Sequence, residues 1–240
     1  MRKNFLDQKI ICGSHFTNIL NSIEPNRSSK IISFVNPFSY FTLHKNPQTV
    51  KRVDVLFSDG SLLCTFHRIF IGEKIQRASF DYSSLASIVF NFAAEEEINI
   101  AIIGGEKGEA DIAVKVFQQR HPKLKIVYVR HGYFSSDVDR ENVAMEVSKS
   151  GANIIIVGMG TPYQEQFSEV VKESSPVGCL IFTCGGFLTQ TSIRPDYYYG
   201  WVKKFGLRWL QRMIMHKYVR DRVFRYYPKF VFSYIKQHLF

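Results

Sequence analysis

Six short apolar runs recur along the 240-residue chain, and most of them are rich in β-branched residues. They cover residues 30–35, 53–57, 100–103, 125–129, 153–157 and 179–183. Their hydrophobic positions are continuous rather than alternating, which is typical of strands buried on both faces of a parallel sheet. The runs therefore predict six core strands.

Segments with helical periodicity separate most of these runs, near residues 38–48, 83–97, 109–121, 137–150 and 162–174. Strand and helix thus alternate, which is typical of a parallel sheet with helices on both faces. We predict an α/β fold over residues 1–193, with a Rossmann-like, mostly parallel sheet flanked by helices. After residue 183 the strand signal stops, and from residue 201 the pattern predicts helices that are interrupted at Pro228. Residues 194–240 are therefore predicted to form a C-terminal helical appendage.

The positive charge of the chain is concentrated in this appendage. The whole sequence has 31 Lys plus Arg against 21 Asp plus Glu, a net charge of +10. Residues 194–240 hold eleven of these cations and two acids, so they carry +9 of the total, interleaved with aromatic residues. Anionic lipid, nucleic acid or a phosphorylated substrate would each suit such a segment. The alternative is a helical hairpin that packs on its own domain and leaves a solvated basic face.

Composition excludes several classes of protein. Only 22% of the residues are charged and 15% are aromatic, the reverse of a disordered chain. No window approaches the roughly 20 apolar residues that span a bilayer, and the first residues lack the apolar core of a signal peptide. We expect a cytoplasmic protein. The four cysteines show neither paired spacing nor nearby histidines, so we expect buried thiols rather than a zinc site or disulfides.

Two glycine-containing loops follow predicted strands, where ligands bind in open α/β sheets. Residues 104–108 open a helix, and backbone N–H groups beginning at Gly104 and Gly105 could cradle a diphosphate there. The alternative is that a tight turn simply needs glycine. In residues 158–165, Pro162 is predicted to lie in the first turn of a helix. Gln164 and Glu165 are predicted to be exposed beside it. The side-chain amide of Gln164 both donates and accepts hydrogen bonds, which suits a ligand with carbonyl and hydroxyl groups. The alternative is that this loop only caps the helix.

Carboxylates follow two other predicted strands. Asp59, before Gly60, would lie at the same edge of the sheet, although Asp-Gly is also a common turn dipeptide. Asp137 and Asp139 match the D-x-D pattern of a metal site. Because they open a helix behind two serines, where Asp is favoured by capping and by the helix dipole, we interpret them as a cap. No metal site is predicted.

Residues 158–165, with the sequence Gly-Met-Gly-Thr-Pro-Tyr-Gln-Glu, resemble the G-x-G-x-P-x-Q-E motif of the WecG/TagA/CpsF glycosyltransferases, glycosyltransferase family 26. Further segments are similar to motifs of that family and follow in the same order: residues 58–60, 77–81, 103–105 with 121–122, 131–134 and 205–212. The resemblance covers nearly the whole chain after about residue 31. Several ordered motifs are far more specific together than any one alone.

Three departures from the family pattern stand out. Near the first strand the family has a threonine followed by an asparagine, and only Asn36 is kept here. Arg208 stands where Glu is common. Residues 187–195 lack the Asp of the F-D-x-x-A-G-x-x-x-R-A-P pattern, a region near the donor pocket in the family. We therefore expect a donor that differs from the N-acetylmannosamine type.

The resemblance implies an inverting, metal-independent transferase without a cofactor. It would move a sugar from a nucleoside diphosphate, UDP, onto a polyprenyl-diphosphate-linked saccharide in bacterial cell-surface polysaccharide biosynthesis. Inversion by direct displacement needs one base, for which Asp59 is the candidate. In a metal-free site, guanidinium groups would bind the phosphates. The candidate substrate-binding residues are Asn36, Gly60, Arg77, Asp81, Gly104, Gly105, Gly132, Tyr133, Gly158, Gly160, Thr161, Pro162, Gln164, Glu165, Arg212, Arg220 and Arg222.

The basic aromatic appendage suits such an acceptor, because a Lys or Arg near an anionic surface contributes about 1 kcal/mol to membrane binding. We therefore expect a peripheral protein on the inner face of the cell membrane. A non-catalytic nucleotide-sugar-binding protein that supports another glycosyltransferase is the alternative. No nucleic-acid reader motif is present, so we expect no nucleic-acid partner. The oligomeric state stays open and includes a homo-oligomer.

Overall fold

The computed structural model of the chain describes residues 4–12, 16–21, 28–175, 178–193, 202, 208–215 and 217–239. Its centre is a six-stranded sheet in the order β2-β1-β6-β5-β3-β4, and all neighbouring strands are parallel. The strands are β1 (Lys30–Val35), β2 (Val55–Ser58), β3 (Asn99–Gly104), β4 (Lys125–Arg130), β5 (Ile154–Gly158) and β6 (Leu180–Thr183). The predicted α/β fold with its six strands is confirmed.

Helices flank the sheet on both faces. The helices of the described residues are α1 (Phe5–Lys9), α2 (Phe16–Leu20), α3 (Pro37–His44), α4 (Pro47–Arg52), α5 (Ser61–Ile71), α6 (Ala86–Glu95), α7 (Glu109–Arg120), α8 (Asp137–Lys149), α9 (Tyr163–Ser174), α10 (Phe187–Ile193), α11 (Arg208–Met215) and α12 (Lys217–Leu239). All five predicted helical segments are present, the first of them divided into α3 and α4. The hydrophobic pattern missed α5.

The predicted interruption at Pro228 is wrong, because α12 continues through it. Pro228 is exposed, and on the solvent side of a helix water can satisfy the carbonyl group that a proline leaves without a partner. A proline at such a position does not end the helix.

Each face of the sheet carries its own hydrophobic cluster. Ile100 and Ile102 of β3 point into a cluster with α2, α6, α7 and α10. Ala101 and Ile103 point to the other face, where α1, α3, α5, α8, α9 and α12 pack. The edge strand β4 differs, since several of its side chains are half-buried or exposed. The expectation of burial on both faces is therefore wrong for this strand, which lies at the less covered edge of the sheet.

Helix α12 docks on the α/β domain through buried aromatic side chains. Phe230 and Tyr234 are fully buried and lie against Tyr40 of α3, with ring centroids 5.3 and 5.4 Å away. The buried carboxylate of Asp7 accepts a hydrogen bond of 3.1 Å from the Tyr234 hydroxyl and lies 2.9 Å from Nε2 of His238. Burial raises the pKa of Asp7. These contacts join α1, α3 and α12.

The predicted boundary between residues 193 and 194 falls where residues 194–201 lie outside the described part of the chain, so it stays a prediction. Within the described residues, none of the helices is long and apolar enough to cross a membrane. All four cysteines are free thiols, but only Cys179 is buried and the other three are half-buried.

Candidate active site

Two cavities open at the carboxyl-terminal edge of the sheet. Helix α7, which follows β3, packs on one face, whereas α9, which follows the neighbouring strand β5, packs on the other. Such divergence creates the crevice in which ligands of open α/β sheets bind. The large cavity, about 700 Å³, lies between the loops after β3, β4, β5 and β6. The small cavity, about 170 Å³, lies between the loops after β1, β2, β5 and β6.

The two cavities adjoin each other. Gly160, Gly185, Gly186 and Gln190 line both of them. A ligand with two parts can therefore extend from the large cavity into the small one.

Gly105, Gly132 and Gly158, at the ends of strands, line the large cavity, whereas Gly104 is not one of its lining residues. A Cβ atom on Gly104, whose φ is +153°, would lie 2.3 Å from the carbonyl oxygen of Gly158, so no other residue fits there. The N–H of Gly105 donates to that same oxygen at 2.9 Å, and the N–H of Gly132 donates to the Gly105 carbonyl at 2.9 Å. These N–H groups are used within the protein, so the idea that Gly105 offers its N–H to a diphosphate is corrected. The glycines shape the cavity instead.

The loop after β3 is braced to α10 across the large cavity. The carboxylate of Glu109 accepts a hydrogen bond of 2.8 Å from the N–H of Glu106 and one of 2.6 Å from the hydroxyl of Thr189. The N–H of Glu106 is thus also engaged within the protein. Two walls of the cavity are thereby held at a defined separation.

Arg140 of α8 is a cavity residue that sequence reasoning missed. Among the described residues that line the large cavity it is the one Lys or Arg. Its guanidinium lies 3.3 Å from Asp137, and its buried Nε has no hydrogen-bond partner among the described residues. Arg140 lies within a polar helix segment, and nothing in the local pattern distinguishes it from a solvated residue. Tyr133 and Tyr163, which are 62% and 68% exposed, lie at the rim of the same cavity.

Asp59 lines the small cavity and is held by an arginine. Nη2 of Arg77 lies 2.8 Å from Oδ1 of Asp59 and 3.2 Å from Oδ2 of Asp81. Asp81 also accepts hydrogen bonds from the Ser79 hydroxyl at 2.9 Å and from the Ser83 N–H at 2.7 Å. Asp81 thus holds Arg77, and Arg77 orients the Asp59 carboxylate toward the cavity.

The Asp-Gly pair at this position is more than a turn dipeptide. The Asp59 N–H donates to the carbonyl of Val35 at 2.7 Å, which fixes the end of β2 to β1. A Cβ atom on Gly60 would lie 2.8 Å from Cδ of Pro37, although the φ of Gly60 is −165° and suits any residue. Glycine is needed here for the close approach of the two loops.

Gln164 and Glu165 are buried, so the expectation that they are exposed is wrong. The two residues are 4% and 1% exposed, because their side chains face the ends of β1 and β6. The preceding Tyr163 is the residue that points to solvent at the rim of the large cavity. Glu165 Oε1 accepts hydrogen bonds from Ser33 at 2.8 Å and from Gln164 at 3.0 Å. Glu165 Oε2 has no partner among the described residues, and burial raises the pKa of this carboxyl. Gln164 also lines the small cavity.

The other residues of the 158–165 motif lie near by. Gly158 and Gly160 line the large cavity, and Thr161 lines the small one. Pro162 follows a cis peptide bond and is the residue just before α9, not a residue of its first turn. Asn36 lines the small cavity and caps α3 by accepting hydrogen bonds from two backbone N–H groups at 3.0 Å.

Of the three appendage arginines that were predicted to bind the substrate, the structure describes the side chain of one. Arg220 is exposed on α12 and lines neither cavity. The side chains of Arg212 and Arg222 lie outside the described part of the structure. Leu188, where the family pattern has Asp, is fully buried in the hydrophobic cluster beneath α10.

The D-x-D segment opens a helix as predicted, but the interpretation of the two aspartates as its cap is wrong, because they lie in the first turn. Asp137 is the first residue of α8, and Ser136 is the capping residue, whose side chain accepts a hydrogen bond from the Asp139 N–H. The Ser135 N–H and the guanidinium of Arg130 bind the carboxylate of Asp139 and hold its pKa below the usual value.

Comparison with known proteins places the chain in a family. The sequence model of the Glycosyl transferase WecG/TagA/CpsF family matches residues 8–240. The chain belongs to this family and is a glycosyltransferase, as the resemblance predicted, and the non-catalytic alternative is thereby set aside.

Two curated relatives of the chain are named as glycosyltransferases. The chain is 42% identical over 217 residues to the UDP-Gal:alpha-D-GlcNAc-diphosphoundecaprenol beta-1,4-galactosyltransferase of Shigella boydii, covering 90% of each chain. It is 21% identical over 240 residues to the N-acetylglucosaminyldiphosphoundecaprenol N-acetyl-beta-D-mannosaminyltransferase of Bacillus subtilis, covering 99% of this chain and 84% of the relative.

Proposed function

We propose that the protein transfers galactose from UDP-galactose to an N-acetylglucosamine carried on a polyprenyl diphosphate. The observation that carries this proposal is the position of Asp59 in a small cavity that adjoins a nucleotide-sized cavity. The choice of sugars follows the relative that shares 42% of the sequence, whose name gives this donor and this acceptor.

The donor nucleotide occupies the large cavity in this proposal. Its volume of about 700 Å³ lies within the range of roughly 300–1,000 Å³ that is usual for ligand pockets. Arg140 supplies a guanidinium for the diphosphate, since this group binds phosphate oxygens through paired hydrogen bonds. The exposed rings of Tyr133 and Tyr163 at the rim offer stacking surfaces for the uracil base.

Asp59 acts as the general base in the small cavity. The acceptor hydroxyl gives its proton to the carboxylate while its oxygen forms a bond to the anomeric carbon and UDP leaves from the opposite side. Displacement in one step inverts the configuration at that carbon. Arg77 keeps the carboxylate in position from 2.8 Å, and Arg140 stabilises the charge that develops on the departing diphosphate.

An exposed face of α12 supports contact with the membrane that carries the acceptor. Phe224, Phe232 and Leu239 are 69%, 72% and 60% exposed and share this face with basic side chains. These basic residues are Arg225, Lys229 and Lys236. Exposed aromatic rings among cations are typical of helices that lie at an anionic bilayer surface.

Helix α12 lies beside the small cavity. Phe38, which lines the small cavity, packs edge to face against Tyr226 of α12 with ring centroids 5.1 Å apart. A lipid-linked acceptor held at the exposed face of α12 would therefore have its sugar close to Asp59.

The test of the proposal is the Asp59→Asn variant, assayed with UDP-galactose and N-acetylglucosamine-diphosphoundecaprenol. The amide keeps the shape of the side chain but cannot take the proton, so kcat should fall by about 10²- to 10⁴-fold. The affinity for UDP, measured by calorimetry, should stay within about twofold. Asp111→Asn, at an exposed position of α7, is the matched control. Comparable turnover of Asp59→Asn and wild type would remove Asp59 from the mechanism.

Inversion and independence from metal ions are tested on the same reaction. NMR of the product should show a β-linked galactose formed from the α-linked donor. Activity should persist in EDTA, since the guanidinium of Arg140 is assigned the role that a metal ion would have at the diphosphate. Activity that disappears in EDTA and returns with Mn²⁺ would overturn the second expectation.

A further inference from the structure

Helix α10 lies where the two cavities meet. It begins directly after Gly185 and Gly186, and its Gln190 lines the large cavity as well as the small one. No described residue hydrogen-bonds the carboxamide of Gln190, and the side chain is half-buried. A half-buried amide that lines a cavity has donors and an acceptor to offer to a ligand.

The neighbours of Gln190 on α10 are occupied with structural contacts. Leu188 is fully buried, and the hydroxyl of Thr189 donates to Glu109 at 2.6 Å. The buried hydroxyl of Thr191 donates to the Phe187 carbonyl at 2.9 Å. These contacts fix the orientation of α10, so the amide of Gln190 is held at the junction of the cavities.

The geometry of the proposed reaction puts the donor sugar at this junction. With the diphosphate near Arg140 in the large cavity and the base Asp59 in the small one, the anomeric carbon must lie between them. Gly160, Gly185, Gly186 and Gln190 are the residues shared by both cavities. The glycines leave room there: a Cβ atom on Gly186 would lie 3.3 Å from Nε2 of Gln190.

We propose that Gln190 binds a ring hydroxyl of the donor hexose and thereby selects the sugar that is transferred. The inference rests on the proposed function and adds a residue that decides the donor. A hydroxyl donates one hydrogen bond and accepts others, which the carboxamide can complement in both directions. A site that hydrogen-bonds a substrate hydroxyl discriminates strongly against a sugar that presents it differently, because polar groups are then left unpaired.

The test compares two donors that differ only in the configuration at one ring hydroxyl, UDP-galactose and UDP-glucose. Gln190→Met keeps most of the side-chain volume and removes the amide, whereas Gln190→Ala removes both. Gln119→Ala, at an exposed position of α7, is the matched control. Binding of UDP, UDP-galactose and UDP-glucose is measured by calorimetry, and transfer to the lipid-linked acceptor is measured with both sugar donors.

Gln190→Met and Gln190→Ala should lower kcat/KM for the preferred donor by about tenfold or more and reduce the preference between the two donors at least about fivefold. Their affinity for UDP, which has no sugar, should stay within about twofold of wild type. An unchanged donor preference would overturn the inference. A loss of UDP affinity that equals the loss of UDP-sugar affinity would also overturn it, since Gln190 would then serve the nucleotide or the fold.

Failure of the proposed function gives a different result. If wild-type protein transfers neither hexose to the lipid-linked acceptor, the proposed reaction is wrong, and calorimetry still decides the role of Gln190. A loss of affinity in Gln190→Met for UDP-sugar but not for UDP would support the inference, whereas equal losses would reject it.

Discussion

The N–H of Gly185 donates a hydrogen bond of 3.0 Å to the side-chain oxygen of Gln164. The nitrogen of the same carboxamide donates to Glu165 Oε1 at 3.0 Å. One side chain therefore joins the start of α9 to the loop after β6, and Gly185 in that loop lines both cavities. The motif of residues 158–165, on which the resemblance to the family rests, therefore helps to fix the shape of the site.

Replacement of Gln164 should affect stability and activity together. Gln164→Ala leaves the half-buried Gly185 N–H without its partner, and the loss of such a hydrogen bond costs about 0.5–1.5 kcal/mol. For a chain of this size, each kcal/mol lowers the Tm by about 2–4 °C. Thermal unfolding and the transfer assay should both show a loss, whereas the exposed Gln118→Ala should show neither. An unchanged Tm would mean that this hydrogen bond contributes nothing to the fold.

The buried Glu165 should make stability depend on pH. Burial raises its pKa in the folded protein above the ordinary 4.5, so the folded state binds more protons than the unfolded state above that pH. The contribution of Glu165 to stability is therefore present at acid pH and is lost as the pH rises through the folded pKa, by up to about 1.4 kcal/mol per pH unit.

Glu165→Gln removes this titration and keeps an oxygen for Ser33 and Gln164. Denaturant unfolding as a function of pH should show that the loss of stability on raising the pH is smaller in Glu165→Gln than in wild type. Parallel stability curves for the two proteins would contradict the raised pKa.

Arg140 should be needed for binding of the nucleotide diphosphate. Hydrogen bonds to a charged group contribute about 1.5–3 kcal/mol, so Arg140→Ala should weaken UDP binding by about tenfold or more. Calorimetry with UDP and with uridine separates the phosphate from the base, since uridine affinity should not change. Arg68→Ala, at an exposed position of α5, provides the control. Equal UDP affinity in Arg140→Ala and wild type would exclude Arg140 from the donor site.

Exposed aromatic residues of α12 should contribute much of the affinity for membranes. Phe224→Ser with Phe232→Ser removes two large apolar side chains from the face that is assigned to the bilayer, and burial of each contributes roughly 1.5–3 kcal/mol. Sedimentation with anionic vesicles should fall by about tenfold or more. Ile88→Ser with Ile112→Ser, two exposed positions on helices of the opposite face of the sheet, is the matched control. Equal sedimentation of the two double variants would reject this face.

Much of the fold follows from local pattern. Continuous apolar runs predict all six strands, and 3.6-residue periodicity predicts α6, α7, α8 and α9, because burial on two faces or on one stripe leaves a direct trace in the sequence. Helix α5 was not predicted, since its many apolar and aromatic residues suit a strand as well as a helix. The position of Asp59 at the ligand-binding edge also followed from the sequence, because all parallel strands end at the same edge.

Only the tertiary structure decided which loops lie next to each other at the edge of the sheet. Asp59, Gln164 and Gln190 follow β2, β5 and β6, and they meet only because these strands lie within the run β2-β1-β6-β5 of the sheet. That order depends on long-range packing of helices on the two faces, and no local pattern encodes it. For the same reason the sequence placed Gln164 on the surface and overlooked Arg140 and Gln190. Whether a polar side chain is buried, solvated or directed into a cavity depends on which other segments pack around it.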